Sequence, residues 1–262
     1  MTTHEKSAPP STTKPAPSAG GRTLAFLKEL AIVLVGAVIV SSVLRAFVGQ
    51  MFIIPSESME NTLLMGDRVV VQKISDFDRG DAVVFRDPGG WLSEPVADPG
   101  PFDRALEFIG VPTQSTPGHL IKRVIGLPGD TLECCDDNNR LTVNGYSLDE
   151  SAYLYVDSDD VPINPSDVRF KVVVPADRLF VMGDHRDVSA DSRCHLADLS
   201  SNGRKGEVAF VPIENVVGPA FAIAAPFDRT SRLRRPAVFD DVPDPTEPAP
   251  SRAVIEPEGV SC

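Results

Sequence analysis

Positive charge is scarce in this sequence. Its 262 residues include 25 lysines and arginines against 37 aspartates and glutamates, which gives a formal net charge of −12. Proteins that bind nucleic acid neutralise phosphates with clustered lysines and arginines, so this balance argues against a nucleic-acid partner. The length allows one domain of moderate size with tails, and the composition by itself leaves the function open.

Histidine and cysteine are also scarce, with four residues of each. A zinc site needs about four well-placed ligands, so a site around the neighbouring Cys194 and His195 is disfavoured and we expect no metal. The chain also lacks the Gly-x-Ser-x-Gly elbow and the helix-rich pattern of α/β hydrolases. A Ser-His-Asp hydrolase that uses His119, His185 or His195 is therefore disfavoured.

Long apolar runs are rare too, and one stands out near the N-terminus. Its charge-free core, Leu30–Leu44, has 15 residues, fewer than the roughly 20 that cross a bilayer core. If Lys28 and Arg45 snorkel to the headgroups, the run becomes long enough. A cleaved secretory signal is the alternative, but the run is long for one and no small-x-small cleavage site follows Arg45. We therefore predict a retained transmembrane helix over 23–48.

Charges that flank this run give its orientation. Four lysines or arginines precede its core, and Arg45 alone follows it before Arg68. The positive-inside rule places the N-terminus in the cytoplasm and everything after Gln50 outside the plasma membrane. We predict a single-pass monomer in contact with membrane lipid, with an extracytoplasmic domain over 49–228.

An oxidising location outside the membrane permits disulfides. Cys134 and Cys135 are neighbours in the sequence, and adjacent Cα atoms are too close for relaxed disulfide geometry. The sequence therefore favours a disulfide between Cys194 and either Cys134 or Cys135, and it leaves open which of the two takes part.

Both ends of the chain have the composition of disordered segments. Residues 1–22 are rich in Pro, Ser, Thr and Gly, and residues 229–262 are acidic and rich in proline. Such segments bury too little apolar surface to offset their ordering entropy. We predict a disordered cytoplasmic tail at the N-terminus and a second disordered tail at the C-terminus, both outside the fold.

Between these segments, short runs typical of β-strands alternate with Gly, Pro and Asp. Asn144-Gly145 is a strong signal for a two-residue hairpin. A Pro-rich insertion over 87–118 carries one short helical candidate, residues 103–110. The fold class is therefore mainly β, a barrel or compact sandwich behind one N-terminal transmembrane helix. The candidate strands are 68–73, 81–85, 119–126, 141–145, 171–174, 178–182, 207–211 and 216–224.

The segment IPSESMENTLLMGDRV, residues 54–69, has two serines and no histidine. In isolation, a Ser-x-Ser after proline is typical of a turn. A candidate base lies downstream in HLIKRVIG, where a period of two places Leu120, Lys122 and Val124 on one strand face. A snorkelling surface lysine would produce the same pattern.

A lysine amine is a base only when it is neutral. At a pKa near 10.4, about one molecule in 250 is neutral at pH 8. Burial lowers this pKa, so Lys122 between Leu120 and Val124 could accept a proton from Ser58, the Ser–Lys variant of nucleophilic catalysis. A third segment, GDHRDVSADSR, has the composition of a charged turn. Its Ser189 hydroxyl could orient the amine without charging it.

These segments together resemble the bacterial type I signal peptidases, a family of serine–lysine proteases. IPSESM, RGDAVVF, KRVIGLPGD, GDHRDVSADSR and GPAFAIAAPF are similar to the family's core segments and follow in its order. The resemblance covers about residues 52–227. It implies a β-rich core without a metal or organic cofactor, and it implies removal of signal peptides from exported preproteins by cleavage after small residues, usually Ala-x-Ala.

The resemblance also implies a role for each matching residue. Ser58 corresponds to the nucleophile and Lys122 to the general base. Ser56 matches the hydroxyl that forms the oxyanion hole with the backbone N–H of Ser58. Ser189 matches the serine that hydrogen-bonds the lysine.

Other positions support or depart from the family's pattern. Asp191 and Arg193 match a bracing ion pair. His185 and Val188 stand where asparagines are usual, and Asn61 stands where proline is common, but no catalytic group is lost. The substrate would bind as an added strand. The apolar residues expected to line its pockets, with core packing as the alternative, are Phe52, Ile54, Met59, Leu63, Leu120 and Ile121.

Two other interpretations use the same residues. A self-cleaving Ser–Lys repressor would need a DNA-binding N-terminal domain in place of the apolar run. A membrane-tethered β-domain that binds partners without catalysis is the alternative from another class, and Ser58 and Lys122 in matching contexts argue against it.

Overall fold

The computed structural model describes residues 19–47, 49–92, 100, 118–256 and 262. Helix α1 spans Ala19–Phe47. Among the residues described, no helix has both the length and the apolar character needed to cross a bilayer, so the transmembrane helix over 23–48 stays a prediction. The exposed large apolar side chains of α1 include Phe26, Leu27, Ile32, Val33, Leu34, Val35, Ile39 and Val40.

After α1, the described residues form thirteen antiparallel strands in two sheets. The large sheet has the order β1-β2-β11-β3-β4-β9-β10, with β12 paired to β11, and the small sheet has the order β13-β8-β5-β6-β7. The mainly β prediction is confirmed. The strands are β1 Gly49–Ile53, β2 Arg68–Gln72, β3 Ala82–Arg86, β4 His119–Gly126, β5 Thr131–Cys134, β6 Leu141–Val143, β7 Tyr146–Ser147, β8 Phe170–Val173, β9 Arg178–Met182, β10 Val211–Pro212, β11 Val216–Ala225, β12 Ser231–Arg232 and β13 Val254–Glu256.

The centre of the large sheet is buried on both faces. On β3, Ala82 and Val84 pack in one apolar cluster, and Val83 and Phe85 pack in another on the opposite face. This alternation is the period-two pattern of a strand between two apolar layers. The neighbouring strand β4 is buried from Ile121 onwards, so any charged side chain on it must find its partners inside the protein.

The strand predictions mostly agree with the structure. β4 has the predicted bounds, and the Asn144-Gly145 hairpin between β6 and β7 is confirmed, with φ values of 52° and 78° that match the positive φ of a type I′ turn. The strand predicted over 207–211 was wrong, because Gly206 starts a 3₁₀ turn at Glu207–Ala209. The short helix predicted over 103–110 lies outside the described residues.

The C-terminal segment differs from the expected disordered tail. β12 pairs with β11, and β13 pairs with β8 at the edge of the small sheet. Between these strands, Phe239 and Val242 are buried in the core beside the small sheet. Two buried apolar side chains and main-chain pairing order this segment, although its composition is otherwise polar and rich in proline.

The disulfide prediction was also wrong. Cys194 is bonded to Cys262, and Cys134 is bonded to Cys135. The prediction paired Cys194 with Cys134 or Cys135 and gave Cys262, in the C-terminal segment, no partner. In the structure β13 pairs with β8, and Cys262, which follows β13 in the sequence, is bonded to Cys194.

Candidate active site

Ser58 lies in a short 3₁₀ turn, Glu57–Met59, that follows β1. Pro55 restricts the backbone ahead of the turn, and the fully buried Met59 holds it in the apolar cluster beneath. The Ser58 carbonyl oxygen accepts a hydrogen bond of 3.1 Å from the backbone N–H of His185. The nucleophile candidate is therefore fixed by packing on one side and by a main-chain bond on the other.

Lys122 lies in the middle of β4, opposite Val83 of β3. Its side chain is buried, and its Nζ donates a hydrogen bond to Ser58 Oγ. In the described part of the chain, no carboxylate forms an ion pair with this amine. The structure thus brings together a hydroxyl and an amine that are 64 residues apart in the sequence.

The buried setting changes the acidity of this amine. Burial lowers the pKa of Lys122 from 10.5 to about 8, while the charges of Asp191 and Asp184 raise it and the charge of Arg193 lowers it. At pH 8 about half of such amines are neutral and can accept a proton. Desolvation is therefore the main reason that this amine can be neutral near pH 8.

Ser56 lies on the solvent side of Ser58. Its hydroxyl oxygen is 3.3 Å from Ser58 Oγ, and its backbone is extended just before the 3₁₀ turn. The exposed Ser56 side chain thus lies beside the buried candidate nucleophile. The structure therefore places Ser56 next to Ser58 and Lys122, and its role in an oxyanion hole stays a prediction.

Ser189 is buried beside the Ser58 turn, but it does not hydrogen-bond Lys122. In the described residues its Oγ has no hydrogen-bond partner. The two serines are separated by Gly183, where an added Cβ would overlap both Ser189 Oγ and the Ser58 carbonyl oxygen. Gly183 is therefore a further site residue that sequence analysis missed, although its position in the Gly-Asp pair of GDHRD was a signal.

Asp191 and Arg193 form the expected ion pair. Arg193 Nε and Nη2 donate to the two carboxylate oxygens at 2.9 Å each, and Asp191 Oδ2 also accepts the Gly183 N–H at 2.9 Å. Burial raises the pKa of Asp191, but the charge and hydrogen bonds of Arg193 outweigh it, so the net pKa is below the usual range. Arg193 Nη2 also donates to the Arg186 carbonyl oxygen. The pair therefore holds the backbone at both Gly183 and Arg186.

A second buried ion pair, which was not predicted, lies directly beside Lys122 on β4. Arg123 donates from Nε to Asp184 Oδ1 at 2.7 Å and from Nη2 to Oδ2 at 2.5 Å. Thr62 also donates to this carboxylate, and the Arg123 guanidinium lies 4.5 Å over the ring of Tyr153. The sequence does indicate a second buried cation, because Arg123 directly follows Lys122 inside an apolar strand.

The apolar residues expected to bind substrate divide into two groups. Phe52, Ile54, Leu120 and Ile121 line one shallow cleft at the start of β4, together with Pro55, Val84 and His119. Met59 and Leu63 are fully buried in the cluster beneath this cleft. The first group can contact a ligand, whereas the second supports the cleft from below.

Two of the histidines considered as bases have other partners. His185 stacks on Tyr155 and lies 3.5 Å from a carboxylate oxygen of Glu60. His195 is hydrogen-bonded to Asp198. Within the described ranges, no three or more His, Cys, Asp or Glu side chains are grouped as metal ligands.

Known proteins are similar to this chain. The family model described as signal peptidase, peptidase S26, matches residues 27–225. A signal peptidase I of Mycobacterium tuberculosis is 38% identical over 229 residues, which cover 79% of this chain and 76% of that protein. Signal peptidase I P of Bacillus subtilis subsp. natto is 32% identical over 189 residues, 69% of this chain and 86% of that protein. A crystal structure of a signal peptidase I from Enterococcus faecalis has 25% identity and a TM-score of 0.33, and the match covers 56% of this chain and 97% of that one.

Proposed function

Because the chain belongs to the peptidase S26 family of signal peptidases, which are serine endopeptidases, we propose that it removes signal peptides from exported preproteins with a Ser58–Lys122 dyad. One observation carries the assignment of the dyad: the buried amine of Lys122 donates to the Ser58 hydroxyl. The lowered pKa of Lys122 makes the reverse proton transfer, from hydroxyl to amine, accessible near neutral pH.

Each chemical step then uses a group already in place. Neutral Lys122 takes the Ser58 proton as Oγ bonds to the scissile carbonyl carbon. The tetrahedral oxyanion accepts hydrogen bonds from the Ser58 N–H and the Ser56 hydroxyl, each worth a few kcal/mol in the transition state. The lysine ammonium gives its proton to the leaving amine, which departs and leaves an acyl-enzyme. Lys122 then takes a proton from a water molecule as its oxygen bonds to the acyl carbon, and it returns this proton to Ser58 Oγ as the ester bond breaks.

We propose that the shallow cleft sets the preference for small residues. Its walls are apolar side chains backed by the closely packed cluster that contains Met59 and Leu63. Bulky side chains would overlap these walls, whereas alanine at the Ala-x-Ala positions fits. The signal peptide lies extended along the cleft as an added strand, and main-chain hydrogen bonds supply much of its affinity.

Membrane attachment is part of the same proposal. Helix α1 contains the apolar run, and the side chains described within it are largely exposed, which suits a lipid environment. The run over 23–48 anchors a monomer, with the N-terminus in the cytoplasm and residues 49–228 on the outer side. There the dyad meets translocated preproteins.

A cleavage assay tests the dyad. The full chain is purified in detergent and given a preprotein with an Ala-x-Ala site, in parallel with Ser58→Ala, Lys122→Ala and the exposed-site controls Ser231→Ala and Lys171→Ala. We expect both dyad variants to lose cleavage and both controls to keep it, with all four folded by circular dichroism. Full activity of Lys122→Ala would refute the assignment of Lys122 as the base. Loss of activity only in a histidine variant would favour a Ser-His mechanism.

A further inference from the structure

Cys194 lies next to the ion pair that braces the active site. It belongs to the 3₁₀ turn Ser192–His195, which is capped by the Asp191 side chain, and its N–H donates to the Asp191 carbonyl oxygen at 2.9 Å. Its Sγ is 3.6 Å from the carbonyl oxygen of Ser189. We call residues 183–195 the catalytic loop. Cys194 thus packs against the part of this loop that carries the buried serine and the ion pair.

The partner cysteine, Cys262, follows a segment that is tied to the rest of the domain. We call residues 231–256 the C-terminal strap. The Asn144 amide donates to the Pro243 carbonyl at 2.7 Å, and the Ala176 N–H donates to the Pro250 carbonyl at 2.8 Å. β13 then pairs with β8. The Cys194–Cys262 disulfide therefore links the catalytic loop to a strap that is anchored on the small sheet.

The catalytic loop has little regular structure of its own. Its ordered parts are two 3₁₀ turns, Arg186–Val188 and Ser192–His195, and such turns are weakly stable in isolation. The Ser189 hydroxyl adds no hydrogen bond among the described residues. Buried ion pairs fix the loop at Asp184, Arg186 and Asp191. The covalent link at Cys194 is a further attachment, at the C-terminal end of the loop next to the Asp191–Arg193 pair.

We propose that the Cys194–Cys262 disulfide is a positioning element of the active site and that its reduction by a dithiol lowers the turnover of the enzyme. The inference rests on the proposed peptidase function. In the reduction a thiolate of the dithiol attacks one sulfur, and its second thiolate resolves the mixed disulfide. Cys194 and Cys262 gain two electrons and two protons, and the dithiol becomes a cyclic disulfide.

Loss of the link has a specific consequence for Lys122. The charged groups that act on this amine are Asp191, Asp184 and Arg193, and two of them belong to the end of the loop that Cys194 fastens. A loosened loop admits water to Lys122, so its pKa rises towards that of an exposed lysine. The pH midpoint of the rate then moves upward and kcat at pH 8 falls. KM changes little, because the cleft at the start of β4 belongs to neither the loop nor the strap.

The test compares Cys262→Ser with wild type, each with and without dithiothreitol. The control is the double variant Cys134→Ser/Cys135→Ser, which removes the other disulfide. We expect Cys262→Ser to lower kcat about three- to tenfold, as for a small misplacement of catalytic groups, with KM within twofold and the pH midpoint raised. Dithiothreitol should have the same effect on wild type and on the control double variant, and no further effect on Cys262→Ser.

Several results would overturn the inference. Peptide mapping without reductant could fail to find the 194–262 link in the folded enzyme. Cys262→Ser could keep the wild-type kcat and pH midpoint and lose only thermal stability, which would make the disulfide merely structural. Sensitivity to dithiothreitol could persist in Cys262→Ser and vanish in the control. Ser58→Ala, assayed in parallel, tests the peptidase function separately: retained cleavage there would refute the dyad whatever the cysteine variants do.

Discussion

Lys122 and Arg123 are adjacent cations on β4, and both are buried, yet their surroundings are opposite. Arg123 has a bidentate carboxylate partner in Asp184, and its pKa is raised above the usual value despite its burial. Lys122 has a serine hydroxyl as its partner, and burial lowers its pKa to about 8. One strand thus holds one cation that stays charged and one that can lose its proton.

This difference supports the proposal that Lys122 acts as a base in place of histidine. A carboxylate bonded to Lys122 would stabilise its ammonium and prevent it from acting as a base. The nearest acids are instead paired elsewhere, Asp184 with Arg123 and Asp191 with Arg193. The ion pairs stabilise the fold around the amine and keep their carboxylates from bonding to it.

Removal of Lys122 should have the largest effect on catalysis. Lys122→Met keeps the length and the apolar stem of the side chain and removes the base, so we expect kcat/KM to fall by about 10²–10⁴-fold, the usual contribution of general acid–base catalysis. Lys171→Met, at an exposed strand lysine, is the matched control. Activity of Lys122→Met within tenfold of wild type would contradict the assignment.

The same variant has a predicted stability signature. Because the folded pKa of about 8 lies below the ordinary 10.5, the unfolded chain binds more protons between these two pH values. Lys122 therefore destabilises the fold below pH 8, and this cost disappears as the pH rises to 10.5. We expect Lys122→Met to be more stable than wild type at pH 7 in urea titrations, and the gap to close at alkaline pH.

Removal of the neighbouring cation should affect folding instead. Arg123→Met leaves the fully buried Asp184 without its partner, and we expect the free energy of unfolding to fall by about 3–5 kcal/mol. Urea denaturation measures this loss. The double variant Arg123→Met/Asp184→Asn should be less destabilised than the sum of the single variants, because the unpaired charge is gone. Additive losses would show that the pair is not coupled.

An added methyl group at Gly183 should give an intermediate effect. The Cβ of Gly183→Ala would overlap Ser189 Oγ and the Ser58 carbonyl oxygen, so the nucleophile turn or the catalytic loop must shift. A displacement of about 1 Å costs up to about 10²-fold in rate, and we expect the loss in kcat with KM nearly unchanged. Gly36→Ala, where an added Cβ meets nothing, is the control. A wild-type kcat in Gly183→Ala would show that close packing at Gly183 does not set the position of the catalytic groups.

The smallest effect is expected at an exposed pair. Lys171 Nζ and Glu133 lie 3.4 Å apart, with about half of each side chain exposed. Such pairs contribute about 0–1 kcal/mol, so Lys171→Met should change the free energy of unfolding by less than about 1 kcal/mol. A loss as large as that of Arg123→Met would contradict the contrast between buried and exposed pairs.

The sequence predicted the elements that short-range patterns determine. The bounds of β4 followed from its apolar residues and flanking glycines, and the hairpin followed from Asn144-Gly145. Ser58 and Lys122 in family-like contexts predicted the dyad. The structure places the two side chains in hydrogen-bond contact, and their catalytic roles stay a prediction.

The sequence could not predict what depends on distant partners. Cys262 lies in a segment with the composition of a disordered tail, and only the pairing of β13 with β8 brings that segment back onto the domain. The ion pair of Arg123 and Asp184 joins residues 61 positions apart, and the sequence shows a second cation on the apolar strand without showing which carboxylate pairs with it. The Glu207–Ala209 turn resembled a strand because its apolar residues suit either structure.

A pH–rate profile tests the central claim, that burial makes Lys122 a neutral base, most directly. The measurement is kcat/KM for an Ala-x-Ala preprotein between pH 6 and 11, since it reports the pKa of the essential base in the free enzyme. We predict a rise of about tenfold per pH unit that levels off near pH 8. A midpoint near 6.5, the pKa of histidine, or near 10.4, that of an exposed lysine, would contradict the account.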